Sequence, residues 1–477
     1  MNEYPFLVGG EWRTCATPFR VRFPYTGEPV ALVHQAGEQD CHDAVWCAGK
    51  AFETTRSLSS GERSRILSDL ADLVQGQSAE FVDILVLEGG KTRSFAEQEV
   101  RRACLTLRIS AEEARRMNGE VLPLDWSSEM AGRFGITRRV PIGPVLGITP
   151  FNFPLNLACH KLGPAVASGN PIILKPASAT PVSSLLLGRL ALKAGLPAEA
   201  LSIVPCPAAT AEGMVRDPGI ALLTFTGSPA VGWHLKQIAG RKKVMLELGG
   251  NAAVIVHSDA MLPYAVSRTV TGGFSNAGQV CISVQRVFIE DSIYDEAVDM
   301  ILGYVAALKT GDPGNPATDI GPMISEEAAI RAETLVREAV RERATLLCGG
   351  ERKGALFTPA VLADAPDNLR VNCEEAFAPI ITVNRYKKFG EALKAANRSD
   401  FGLQMGIFTN HLPYILQAFE EAGVGGVIVN DIPTFRADQM PYGGVKASGI
   451  GKEGPRYAIR EMTEEKLLVI NPRGGSL

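Results

Sequence analysis

Three side chains in this sequence have the types needed for nucleophilic chemistry at a carbonyl. Cys281 ends the stretch Thr271-Gly-Gly-Phe-Ser-Asn-Ala-Gly-Gln-Val-Cys281, a loop rich in small residues with no apolar periodicity that would make the thiol part of a core. A free thiol with a pKa of ~8.5 is only slightly ionised at neutral pH, so a reactive one needs a positive setting or a base. Glu247, in Leu246-Glu247-Leu248-Gly249-Gly250, is a lone acid between buried-type residues at the end of a strand pattern. Unpaired buried carboxylates are costly, so this acid is either paired or kept for proton transfer. Asn152, in Thr149-Pro150-Phe151-Asn152-Phe153-Pro154, offers an amide donor just past another strand pattern; a turn-forming Asn is the plainer reading.

Two further segments suit a nucleotide. Phe225-Thr-Gly227-Ser228-Pro-Ala-Val-Gly232 follows a strand pattern, turns at Gly227 and opens a helix at Ser228, where backbone N–H groups can hold a pyrophosphate. Lys175, in Ile173-Leu-Lys175-Pro-Ala-Ser178, puts a cation just beyond a buried run, either reaching a ribose or phosphate or projecting into solvent. Gly449-Ile-Gly451-Lys-Glu-Gly454 matches G-x-G-x-x-G, but too little chain follows it for a βαβ unit, and it reads as a turn. Cys159 and His160 are adjacent and so point apart, a poor nucleophile and base. Cys41, His42 and Cys47 lack the fourth ligand of a closed zinc site, and no metal is predicted.

The elements that must hold these groups follow from periodicity. Ile66, Leu67, Leu70, Leu73 and Val74 mark one helical face, and a second helix is predicted over Arg93–Met117, stopping at Asn118-Gly119. From Val145 onward, short apolar runs at Val145–Thr149, Pro171–Leu174, Leu201–Val204, Leu222–Thr226 and Val244–Leu246 alternate with helices opened at Thr180-Pro181 and Ser228-Pro229 and ended at Gly195 and Gly240. Strands separated by single helices predict an α/β fold with a parallel sheet and a ligand at its carboxyl edge. A second α/β pattern runs from Ala252 to about Val429, with strands at Ala253–Val256 and Val284–Ile289. The uncharged stretch from Val140 to His160 carries four prolines and reads as buried strand and loop, not as a membrane span.

The 477 residues allow several domains with large cores, and 46% hydrophobic content excludes general disorder. With 48 Lys+Arg against 52 Asp+Glu, no global field exists to hold nucleic acid or an anionic membrane, so the expected partner is a small molecule. Met1 to Trp12 carries Glu3 and no basic-then-apolar layout, so no signal peptide is expected. Nine cysteines cannot all pair internally, and reduced thiols in the cytoplasm are the expectation.

Taken together, these segments resemble the aldehyde dehydrogenase superfamily, in the expected order and over nearly the whole chain. The resemblance implies a cysteine nucleophile at Cys281, a general base at Glu247 and an oxyanion donor at Asn152. It also implies an NADP or NAD site built by Thr149, Pro150, Phe151, Lys175, Ser178, Gly227, Ser228, Leu248, Gly249, Glu375 and Phe377, the last two in Glu374-Glu375-Ala-Phe377-Ala-Pro. The implied fold has a Rossmann-variant cofactor domain (1–117 and 140–247), an α/β catalytic domain (248–440) and a small β oligomerisation domain (118–139 and 452–477) that makes a homodimer or homotetramer.

Departures from family patterns bear on specificity. Ser178 stands where many NAD-preferring members carry Glu, so NADP is expected to be usable. Val280 and Ser275 stand where several groups acting on anionic aldehydes carry Arg. The motifs look most like the lactaldehyde or glycolaldehyde type, and short hydroxyaldehydes come first. A short anionic aldehyde (sulfolactaldehyde, phosphonoacetaldehyde, glyceraldehyde 3-phosphate or succinate semialdehyde) remains open through His160, Arg102, Arg108 and Arg436. Glu247 argues against a CoA-acylating enzyme. A catalytically idle binding protein and a cofactor-free thioesterase-like hydrolase are the remaining readings.

Overall fold

The five apolar runs from Val145 to Glu247 pair as the parallel centre of one sheet. In the computed structural model, which describes residues 1–472, they are Val145–Ile148, Ile172–Lys175, Leu201–Ile203, Leu222–Thr226 and Lys243–Glu247. An antiparallel strand closes each side: Gly449–Ile450 against Lys243–Glu247, and Phe6–Val8, itself paired with Glu11–Arg13, against Leu201–Ile203. Continuous burial along these strands explains why they read as unbroken apolar runs rather than alternating ones. Helices Pro154–Ser168, Val182–Lys193 and Pro229–Ile238 are among the crossovers, two of them ending beside Gly195 (φ +90°) and Gly240 (φ +66°) as predicted.

A second, seven-stranded sheet has the order Thr345–Cys348, Ala360–Ala363, Ile380–Tyr386, Val284–Glu290, Ala252–Val256, Gln404–Phe408, Gly426–Val429, parallel except at the first pair. Its core is separate from that of the first sheet. Ala458, Ile459 and Met462, on and just after the helix Pro455–Glu461, pack into the first core. The strand Phe134–Pro141 pairs antiparallel with Val121–Pro123 and with Thr463–Ile470 in a third sheet that leaves Trp126, Leu467 and Leu468 exposed. Residues 473–477 of the segment expected at 452–477 lie outside the described residues.

Three readings are corrected. The helix from Arg93 ends at Ala114, before Asn118-Gly119. The stretch read as strand and loop up to His160 becomes a fully buried helix from Pro154, because proline at the first helical position forfeits no hydrogen bond and presets φ. The loop assigned from Thr271 is still helix through Phe274. Gly272 and Gly273 sit in its last turn because a Cβ there would lie 2.8 Å from Val284 and 2.6 Å from Ile381 respectively, so these glycines serve close helix-to-strand packing.

Among the described residues, no helix is long and apolar enough to cross a membrane, and no group of three or more His, Cys, Asp or Glu could hold a metal ion. All nine cysteines are free.

Candidate active site

A cavity of about 940 Å³ opens at the carboxyl ends of the first sheet's central strands and is closed by the second sheet's loops. Cys281, Glu247 and Asn152 all line it, with Thr149, Pro150, Phe151, Lys175, Ser178, Gly227, Ser228, Leu248, Gly249, Glu375 and Phe377. Strands bring them together: Ile148 precedes the Thr149–Asn152 turn, Lys175 ends its strand, Thr226 leads into Gly227, and Glu247 is the last residue of its strand.

Asn152 is held from behind. The Glu99 carboxylate accepts the first N–H groups of the following helix, from Leu155 (3.0 Å) and Asn156 (3.2 Å), and its other oxygen pairs with the buried Lys91 ammonium at 2.7 Å. The Asn152 amide N–H donates to the Gln279 carbonyl at 3.1 Å, two residues before Cys281, so the two segments are tied together. Cys281 follows a strained turn in which Asn276, Ala277 and Gly278 all have positive φ (52°, 54° and 69°). Burial pushes the Cys281 thiol up to about 12, partly offset by the Tyr442 hydroxyl, 2.9 Å from the sulfur, and by Arg436. Burial, with the neighbouring Glu453 second, raises Glu247 well above the carboxylate range, and one of its oxygens has no hydrogen-bond partner. Burial disfavours the charged form of both groups, and they face a common space.

Beneath them lies a chain of buried charges. Glu453 accepts from Arg436 Nη2 at 2.8 Å and pairs with the Lys161 ammonium at 3.5 Å, while Lys161 also donates to Thr224 and Thr226. Burial opposes ionisation of Glu453, but Lys161 and Arg436 hold it down at about 2. Asp438 accepts two hydrogen bonds from Arg102 (3.0 and 2.8 Å) and meets His160 Nε2 at 2.9 Å. Against the cost of burial, His160 and Arg102 hold Asp438 far below the usual carboxylate range.

Of the four residues considered for substrate contact, Arg102 and Arg436 line the cavity and two do not. His160 is fully buried behind it, bound to Asp438, Arg436 and Thr106, and burial followed by Arg436 lowers its pKa. Arg108 lies two residues beyond Thr106, on the opposite side of the helix, and is exposed, paired with Asp72 and Gln75. Both are corrections: on that helix Arg102 faces the site and Arg108 faces away. Tyr442, Lys161 and Glu453 belong to the site without any local sequence motif to mark them. Glu453 was legible only as part of the G-x-G-x-x-G stretch, which leaves the edge strand Gly449–Ile450 through a turn; Gly449, Gly451 and Gly454 all have positive φ.

The other half of the cavity fits a dinucleotide. A Cβ on Gly227 would lie 2.5 Å from the Phe225 ring and one on Gly249 2.2 Å from the Glu375 carboxylate, so both positions present bare backbone. Gly227 N–H is fixed by the Glu247 carbonyl at 3.1 Å, and Ser228 occupies the N-cap position without a side-chain capping bond. Glu375 folds onto the Gly250 N–H at 3.1 Å, and burial raises it to about 7. Phe377 stands edge-on to Phe151 with 5.7 Å between ring centres. The buried Thr149 hydroxyl has no partner. Lys175 and Ser178 complete the wall.

The model of the aldehyde dehydrogenase family matches residues 12–468. The chain is 44% identical over 472 residues to a 3-sulfolactaldehyde dehydrogenase of Priestia aryabhattai, covering 99% of this chain and 98% of that protein. It superposes with a TM-score of 0.97 and 41% identity, covering 99% of each chain, on aldehyde dehydrogenase 21 from Physcomitrella patens in complex with the reaction product succinate. A glyceraldehyde-3-phosphate dehydrogenase from Methanocaldococcus jannaschii, complexed with NADP, gives a TM-score of 0.92 at 35% identity, covering 96% of this chain and all of that one.

Proposed function

The chain belongs to the aldehyde dehydrogenase family, and from that premise we propose that it oxidises a small aldehyde to the carboxylic acid with NADP or NAD, using Cys281, Asn152 and Glu247. The observation that carries the assignment is the meeting of a thiol, an amide and a buried carboxyl on one cavity wall, beside a glycine-lined nucleotide half. Gly227, Ser228, Lys175, Ser178, Gly249 and Glu375 would hold the cofactor, with Thr149, Pro150, Phe151, Leu248 and Phe377 as the walls of its site. When bound, it supplies the hydride acceptor.

The chain's own residues do the rest. Cys281 first gives its thiol proton to solvent, and the thiolate forms a bond to the aldehyde carbon while the carbonyl electron pair moves to oxygen, where the Asn152 amide N–H, released from Gln279, donates to the oxyanion. Collapse of that oxyanion expels hydride and leaves a thioester on Cys281. Glu247, once ionised, takes a proton from water as the water oxygen bonds to the thioester carbon; the C–S bond then breaks, the Cys281 thiolate leaves and the acid is released. Cys281→Ser should abolish turnover. Glu247→Gln should still give a burst of reduced cofactor followed by slow hydrolysis; steady-state turnover at the wild-type rate would refute the base assignment.

A second reading concerns the substrate's tail. Arg436 is buried, lines the cavity and has an unpartnered Nε, and Arg102 lines the same wall. This favours a short aldehyde with an anionic tail, despite Val280 and Ser275, over an uncharged hydroxyaldehyde such as lactaldehyde or glycolaldehyde. A panel of lactaldehyde, glycolaldehyde, succinate semialdehyde, sulfolactaldehyde and phosphonoacetaldehyde decides it: equal kcat/KM for charged and uncharged members would refute the anionic tail. Use of NADP is supported by Ser178, where no carboxylate opposes a 2′-phosphate, and failure to turn over with NADP would sink it. The division into cofactor, catalytic and oligomerisation domains, with assembly through the exposed Trp126, Leu467 and Leu468 face into a dimer or tetramer in the cytoplasm, belongs to the same proposal.

A further inference from the structure

We infer that Tyr442 is a further catalytic residue, its phenolic O–H donating to the Cys281 thiolate and enlarging the share of the nucleophile that is ready to attack. The inference rests on Cys281 being the nucleophile.

The tyrosine is placed by three independent contacts. Its backbone forms a two-way bridge with Glu453, with Tyr442 N–H to the Glu453 carbonyl at 3.1 Å and Glu453 N–H to the Tyr442 carbonyl at 2.6 Å. The Arg436 guanidinium lies 3.8 Å from the centre of its ring. Val280, Ile282 and Leu403 form one buried cluster with it. With backbone and ring so fixed, the hydroxyl meets the Cys281 sulfur at 2.9 Å, and the ring is 2% exposed. A buried tyrosine hydroxyl needs a partner, and here the partner is the reacting atom.

The charges around the pair show what the contact does. Burial, and Glu375 and Glu247 when ionised, oppose a negative sulfur, whereas Arg436 favours it and Tyr442 supplies a neutral donor that adds no competing charge. Burial first and Cys281 second keep the phenol protonated, so it remains a donor. A cation over the ring draws electron density from it, which strengthens the O–H as a donor. Once the sulfur has bonded to the aldehyde carbon it is a poor acceptor, so the interaction belongs to the thiolate before attack.

A lost hydrogen bond to a charged group corresponds to about one unit of thiol pKa, or about tenfold less thiolate. The more basic thiolate is intrinsically about threefold more nucleophilic, so the net loss in rate is about threefold. The test is alkylation of Cys281 by iodoacetamide, read on the Cys281 peptide from neutral to alkaline pH. Tyr442→Phe, which keeps the ring and its cation contact, should move the rising limb alkaline by about half a unit. Replacing Tyr442 with 3-fluorotyrosine, a stronger donor, should move it in the opposite direction. Cofactor affinity should not change in either. A limb that stays in place in either variant, or that moves acidic in Tyr442→Phe, overturns the inference. The alkylation reads the sulfur whether or not it catalyses, whereas turnover persisting in Cys281→Ser would sink the nucleophile assignment and leave the Tyr442 result standing.

Discussion

The two halves of the cavity are built by opposite means. The nucleotide half relies on backbone: the missing Cβ atoms of Gly227 and Gly249 and the open start of the helix at Pro229. The thiol half relies on side chains from distant parts of the chain, with Arg102 and Asp438 separated by 336 residues and His160 and Asp438 by 278. A backbone cradle is set by local turns and fails locally. A buried charge network is set by the whole fold, and removing one partner strands the others.

That contrast is tested most strongly at Asp438. Asp438→Ala leaves Arg102 and His160 without their shared carboxylate, and the typical cost of breaking a buried ion pair is about 3–5 kcal/mol. Because Arg102 retains 22% exposure and can turn to the cavity, the lower end, about 3 kcal/mol, is expected in urea unfolding. A loss below ~0.5 kcal/mol, the level of an ordinary surface substitution, would show that the network does not hold this half together. Asn152→Ala probes the chemistry of the same half: losing one oxyanion donor should lower kcat about 10²–10³-fold. Wild-type turnover would remove Asn152 from the mechanism.

Legibility in the sequence follows the same division. Gly227-Ser228, Lys175 and Glu247-Leu-Gly-Gly could be read because each is a short motif at the end of a strand, and the strands were evident as apolar runs. Tyr442, Glu453 and Lys161 could not, because their significance lies in partners on other elements, from 17 to 292 residues away along the chain. Lys161 looked like any polar residue after His160, yet it is fully buried under Thr224, Thr226 and Glu453. Periodicity also could not tell Arg102 from Arg108, since only packing decides which face of that helix looks into the site. The last turn of the helix ending at Phe274 was lost because its glycines serve close packing, while glycine by itself signals a loop.

Glu375 sits where the halves meet, and its ionisation compares them by pH. Burial raises its carboxyl to about 7, above the ordinary 4.5. The neutral form is therefore the one the fold favours: the contribution is fully present below the unfolded value and is lost as pH rises through about 7. The shift is worth up to ~3 kcal/mol. Glu375→Gln should flatten the fall in stability between mildly acidic and neutral pH relative to wild type. Parallel stability curves for the two proteins would rule out a raised carboxyl there.

The smallest effect is expected at the backbone cradle itself. Gly249→Ala places a methyl group 2.2 Å from the Glu375 carboxylate, so that side chain must swing off the Gly250 N–H. Gly249 does not have positive φ, so the substitution adds no backbone strain and the cost is confined to one displaced side chain. Losing one hydrogen bond of ordinary strength predicts about a tenfold rise in cofactor KM. The Cys281 alkylation rate and kcat at saturating cofactor should stay close to wild type, because the network around Asp438 and Glu453 is untouched. A fall in kcat matching that of Asn152→Ala would mean that the two halves are one cooperative unit, and that the contrast between a local cradle and a distributed network is wrong.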